Sequence, residues 1–174
     1  MSILATTLLV LVTIWAVVLC WHDWTTRRLP NLLTLTGLAV VLAARYGLGG
    51  VPLFLDGFLA ATGAFLFLFF PFLMRAAGGG DVKMIAACGA VVGLKGLLFF
   101  LFATSAVGIL FAIIMVICGR VNSARLKHMF QSTFNVNYDR EEGRAGLPSS
   151  TEESVRVPFS IPIALGMLGT LLIL

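Results

Sequence analysis

The chain has 174 residues, 59% of them hydrophobic, and its 12 basic residues outweigh 8 acidic ones for a formal net charge of +4. Charged residues make up only 11% of it, under half the share of about 25% found in soluble domains, so the composition excludes a soluble fold and points to an integral membrane protein. The basic residues are too scattered for a nucleic-acid-binding stripe, and Cys20, Cys88 and Cys118 make neither a metal-type pair nor a disulfide framework.

The first apolar run, from Met1 to Trp21, is long enough to cross a bilayer as a helix. No basic residue precedes it and no small-x-small cleavage site follows, so it reads as a retained span rather than a signal peptide. After a polar break from His22 to Pro30, a short apolar helix is predicted from Asn31 to Ala44, and the stretch Gly49-Gly50-Val51-Pro52 marks a turn. A Phe-rich third span follows from about Phe54 to Met74, with Pro71 expected to kink or end it.

Arg75 to Asp81 form the next break, carrying Gly78, Gly79 and Gly80. Val82 to Leu94 is predicted as a fourth helix, rich in Ala and Gly and suited to close packing. Lys95 and Gly96 are expected to interrupt, and Leu97 to Cys118 makes the fifth span. Residues 119–157 form a polar loop with a basic first part, and Pro158 to Leu174 is the sixth span. The expected fold is therefore all-α: one membrane domain over residues 1–174, with six transmembrane helices and a cytoplasmic loop at 119–157.

Charge sets the orientation. Arg27, Arg28, Arg75, Lys83 and six basic residues of the long loop fall on one side, against Arg45 and Lys95 on the other. The positive-inside rule puts the ten in the cytoplasm and both termini outside. Merging the fourth and fifth helices would export the basic loop, which favours six spans over five.

Of the four Asp, two stand where an apolar helix meets the cytoplasmic side: Asp23 after the first span and Asp81 before the fourth. Two spans separate them, so they share a side whichever way the chain inserts. Carboxylates at a membrane boundary are costly and mark functional sites. A close pair can share one proton and supply a general base and a general acid. The structural alternatives are that Asp81 caps its helix and that Arg27 or Arg28 neutralises Asp23. Asp56 reads as a cap or interfacial anchor on the outer side, and Asp139 as a solvated loop residue.

The surrounding residues narrow the choice. Asp23-Trp-Thr-Thr-Arg27-Arg28-Leu-Pro30-Asn31 resembles the first catalytic motif of the type IV prepilin peptidases, and Gly78-Gly79-Gly80-Asp81-Val82-Lys83-Met84 their GxGD motif. Val157-Pro158-Phe159-Ser160-Ile161-Pro162-Ile163-Ala164-Leu165-Gly166 is similar to the start of the family's last helix. The resemblance implies an aspartic endopeptidase, with Asp23 and Asp81 catalytic, that cleaves a prepilin after a short basic leader at the cytoplasmic boundary of the inner membrane.

Gly78 and Gly80 would allow close approach of backbone and substrate, and Pro30 would start the second helix. Asn31 either bonds nearby backbone or marks the helix entry. Arg27, Arg28 and Lys83 either tune the aspartates and hold anionic lipid, or serve only as orientation signals. The larger members of the family carry paired cysteines in an additional segment and methylate the new N-terminus. This chain lacks those pairs and resembles the short, peptidase-only branch of Flp or Tad pili, with archaeal preflagellin-type peptidases as close relatives. No metal, no cofactor, no S-adenosylmethionine site and no nucleic-acid partner are expected. The expected partners are the prepilin and the bilayer, and the competing class is a non-catalytic membrane scaffold or small transporter.

Overall fold

The computed structural model describes residues 3–26, 29–73, 77–118 and 159–173. Arg27, Arg28, Arg75, Pro158 and the loop at 119–157 lie outside the described residues. Five helices occur among the described residues: α1 (Ile3–Thr26), α2 (Asn31–Leu73), α3 (Gly79–Val92), α4 (Leu94–Ile117) and α5 (Ser160–Ile173), and no strand is found there. One compact unit gathers Met1–Gly108 and Pro158–Leu174; a second holds Ile109–Val157, whose described part is the end of α4.

α1, α2 and α4 are long and apolar enough to cross a membrane, and α5 is a shorter apolar helix. The 43 residues of α2 hold both the second and the third predicted span. Backbone conformation divides it: Gly50, at φ 64 and ψ −154, occupies a region that is essentially open only to glycine. Pro52 then begins the second segment, where a missing N–H costs nothing. Pro71 does not end the helix, which runs two residues beyond it to Leu73.

Two predicted boundaries are corrected. The break between the fourth and fifth predicted helices falls at Gly93 alone, with φ 78 and ψ 174, so Lys95 and Gly96 lie inside the first turn of α4. α3 starts at Gly79 rather than Val82, which puts Asp81 within its first turn. Its first amides have no intrahelical partner in any sequence, so the glycine run can open the helix instead of delaying it.

The core is built from small residues with a few large ones fitted among them. Ala60, Ala64, Ala87, Cys88 and Ala90 are buried beside Met84, Ile85, Phe100, Ile163 and Met167. α2 and α3 touch so closely that a Cβ on Gly89 would lie 2.7 Å from Ala64 Cβ. Such close approach, rather than burial of large side chains, is how helices associate in lipid. The outside is correspondingly apolar, with Val10, Leu32, Val40, Phe70, Leu98 and Phe102 exposed. Several hydroxyls within the helices return to their own backbone, as Thr13 to Leu9 O, Thr62 to Phe58 O and Thr170 to Gly166 O.

Contacts give the helix directions. Asn31 meets Lys83 and Arg45 meets Val91, so the first segment of α2 runs parallel to α3. The second segment runs antiparallel to it, since Gly57 faces Ala90 O while Phe72 faces Gly79. α4 and α5 are antiparallel, with Gly166 against Thr104 and Gly108 against Phe159. The two segments of α2 and α3 therefore alternate in direction, as do α4 and α5.

At the turn end, Arg45 Nη1 pairs with Asp56 Oδ2 at 2.7 Å while its Nη2 donates to Val91 O at 3.1 Å. Asp56 Oδ1 accepts the Leu94 amide at 3.3 Å and so caps α4. Asp56 thus caps a helix, one of the two roles expected of it, and its pairing with Arg45 was not foreseen.

Candidate active site

The opposite end of the helices collects the residues that the sequence singles out. α1 ends there because the chain must break before Pro30. α2 begins there, with Pro30 O accepting the Thr34 amide at 3.3 Å, so Pro30 occupies the position just before the helix. The end of α2, the start of α3 and the start of α5 lie at the same end.

Asp23 sits in the last turn of α1 and is 8% exposed. Taking a carboxylate out of water is costly unless a donor meets it. Ser160, the first residue of α5 and fully buried, supplies one: its hydroxyl donates to Asp23 Oδ2 at 2.6 Å. The start of α5 also brings the positive end of a helix dipole to the carboxylate. Trp21 and Trp24, flanking Asp23, are 71% and 51% exposed. Indoles so placed favour the membrane–water interface, which is the depth expected for Asp23.

Asp81 is the third residue of α3 and partly exposed. Gly78 is the residue before the helix, and its N–H donates to Asp81 Oδ2 at 3.2 Å. This is the carboxylate half of a capping box; Gly78 has no side chain to supply the other half. The capping role foreseen for Asp81 is therefore present, exercised from inside the first turn.

The stretch that follows Asp23 packs on the first turn that carries Asp81. A Cβ on Gly80 would stand 2.8 Å from Leu29 Cβ, so the segment at 29–30 lies where only a glycine leaves room. Two residues further on, Lys83 Nζ donates to Asn31 Oδ1 at 2.7 Å. Of the expected supporting residues, Gly78, Gly80, Lys83, Pro30 and Asn31 are thus gathered at one end with both aspartates. Arg27 lies outside the described residues. Neither expectation for Asn31 or Lys83 foresaw that they would meet each other.

Ser160 is the residue that sequence reasoning passed over. It stood in the third motif without a role, and its only signal was a lone hydroxyl between two prolines at the start of an apolar helix. Among the described residues no group of His, Cys, Asp and Glu has the makings of a metal site.

Residues 10–113, more than half of the chain, match the type IV leader peptidase family. The chain belongs to that family. Its coarse activity follows: this family member is a peptidase of the leader-peptidase type, with several long apolar helices suited to a membrane. The matched region includes both motifs that hold Asp23 and Asp81. No curated protein and no solved structure shows a significant match to the chain.

Proposed function

We propose that this leader peptidase is an aspartic endopeptidase of the inner membrane that removes the short basic leader of Flp-type prepilins, with Asp23 and Asp81 as its catalytic pair. One carboxylate takes a proton from water, whose oxygen adds to the scissile carbonyl. The other, protonated, holds the carbonyl oxygen. Collapse of the adduct breaks the C–N bond as the leaving amine takes up a proton. The pair titrates as a unit, so base and acid are roles of the pair rather than of either residue.

The observation that carries this reading is the docking of Leu29 on Gly80 and of Asn31 on Lys83. It draws the chain behind Asp23 onto the helix turn of Asp81. The alternating helix directions support six crossings with both termini outside, and the basic residues then put the site at the cytoplasmic face. Lys83 and, in the sequence, Arg27 and Arg28 just after Asp23 carry the charge that orients it. The reaction needs no cofactor, and the short branch lacks the cysteine pairs of methylating members. Methyl transfer to cleaved pilin by the purified protein would overturn that last point.

The test is cleavage of a prepilin in membranes by the wild type and by Asp23→Asn and Asp81→Asn, each shown to insert at wild-type levels. Each substitution is expected to abolish cleavage. Retained activity in either would end the two-aspartate mechanism.

A further inference from the structure

A buried hydroxyl needs a partner, and the one at Ser160 has a choice close by. The first residue of a helix stands next to unsatisfied amides, and Ser is often placed to bond them from the position before. Ser160 does not do this. Phe159 precedes the helix, with its carbonyl accepting the Ile163 amide at 3.2 Å, while the Ser160 hydroxyl reaches across 137 residues of sequence to Asp23. Pro162, two residues on and also buried, has no N–H for the hydroxyl oxygen to accept from.

The effect on Asp23 is specific to one oxygen. The terminal torsion of an aspartate is broad and nearly two-fold, so a buried carboxylate without a directional partner can present either oxygen. A 2.6 Å bond to Oδ2 removes that freedom. Asp81 is held in the same manner, its Oδ2 accepting the Gly78 amide. Each aspartate thus has its Oδ2 engaged by a donor from a helix start.

We infer that Ser160 is the positioning residue of Asp23: its hydroxyl holds Oδ2 and leaves Oδ1 to meet the water or the scissile carbonyl. It acts through Asp23 and does not touch substrate, so its effect falls on turnover rather than on substrate binding. This rests on the proposal that Asp23 is catalytic.

The experiment uses the full chain in proteoliposomes with a prepilin substrate, comparing wild type, Ser160→Ala, Ser160→Thr and Asp23→Asn. Ser160→Ala is expected to lower kcat by about 10²-fold, the cost of a small misplacement of a reacting group, with KM changed by less than about threefold. Ser160→Thr, which keeps the hydroxyl but adds a methyl group, is expected to recover most of the turnover. A purely packing role predicts the reverse order, because Ala fits the site with less strain. Infrared spectra of protein labelled with ¹³C-aspartate supply a second reading. The Asp23 band, identified by its loss in Asp23→Asn, is expected to shift in Ser160→Ala.

Wild-type kcat in Ser160→Ala, or an unmoved Asp23 band, would overturn the inference and leave the two-aspartate proposal intact. Full cleavage by Asp23→Asn would overturn that proposal instead, while the infrared shift would still report the Ser160 bond.

Discussion

Lys83 donates to Asn31 across 52 residues of sequence, joining the start of α2 to the first turn of α3 at 2.7 Å. The bond ties the stretch that follows one aspartate to the helix turn that carries the other. A half-exposed hydrogen bond of this kind contributes about 1 kcal/mol. Asn31→Ala and Lys83→Met are each expected to reduce stability by about that amount. The double variant should lose little more than either single one, because both remove the same bond. Unfolding in detergent, read as a double-mutant cycle, checks the coupling. Additive losses would mean that the two side chains act separately. Cleavage should fall in step in all three variants, since the lost tie loosens one motif against the other.

The glycine run before Asp81 is not uniform, and its members separate under substitution by alanine. A Cβ on Gly79 would meet the Phe72 ring, nearest at Cε2 at 3.4 Å, an ordinary contact. One on Gly78 would stand 2.9 Å from Asp81 Oδ2 and one on Gly80 2.8 Å from Leu29 Cβ. Gly78 has an ordinary extended backbone, φ −81 and ψ 146, so only space is at stake there.

Gly79→Ala is therefore expected to cleave at close to the wild-type rate. Gly78→Ala pushes the Asp81 carboxylate off its amide, and Gly80→Ala forces the Leu29 segment away at a cost of about 1–3 kcal/mol. Both are expected to lose cleavage by about 10²-fold, through displaced reacting groups. Cleavage rates per inserted protein decide the matter. Equal loss at all three positions would show that the run matters for something other than these two contacts.

How far the sequence discloses this arrangement varies with the kind of information required. Apolar runs and charge asymmetry locate the helices and the order of their directions, because a bilayer demands both. The two aspartates stand out in the sequence for the same reason, as carboxylates at the ends of apolar helices. Boundaries that depend on backbone conformation are not. The sequence gives Gly93 no more emphasis than Gly96, yet only Gly93 adopts a conformation reserved for glycine. Partners distant in sequence are legible still less. Neither the Ser160 bond to Asp23 nor the pairing of Arg45 with Asp56 follows from composition or spacing. Each arises only when the helices have packed.

That pairing makes a prediction opposite in kind to those for the site. Arg45 and Asp56 are half-buried at the turn end, with side chains 15% and 31% exposed, and Asp56 also holds the first amide of α4. Asp56→Ala leaves the guanidinium with carbonyl partners alone and the Leu94 amide without its acceptor. The expected loss is about 1.5–3 kcal/mol, the range for hydrogen bonds to charged groups. Asp56→Asn keeps an acceptor for Leu94 and should lose less.

Gly93→Ala meets two obstacles at once. Its backbone conformation costs about 1–3 kcal/mol for a non-glycine residue, and its new Cβ would lie 2.7 Å from Arg45 Nη2. It is expected to be the most destabilising of the three. All three changes lie at the end of the helices away from Asp23 and Asp81, so cleavage per folded molecule should stay close to wild type while the melting temperature falls. Thermal unfolding in detergent, paired with activity normalised to folded protein, separates the two effects. A loss of turnover in the folded fraction would show that the turn end is coupled to the site through α3.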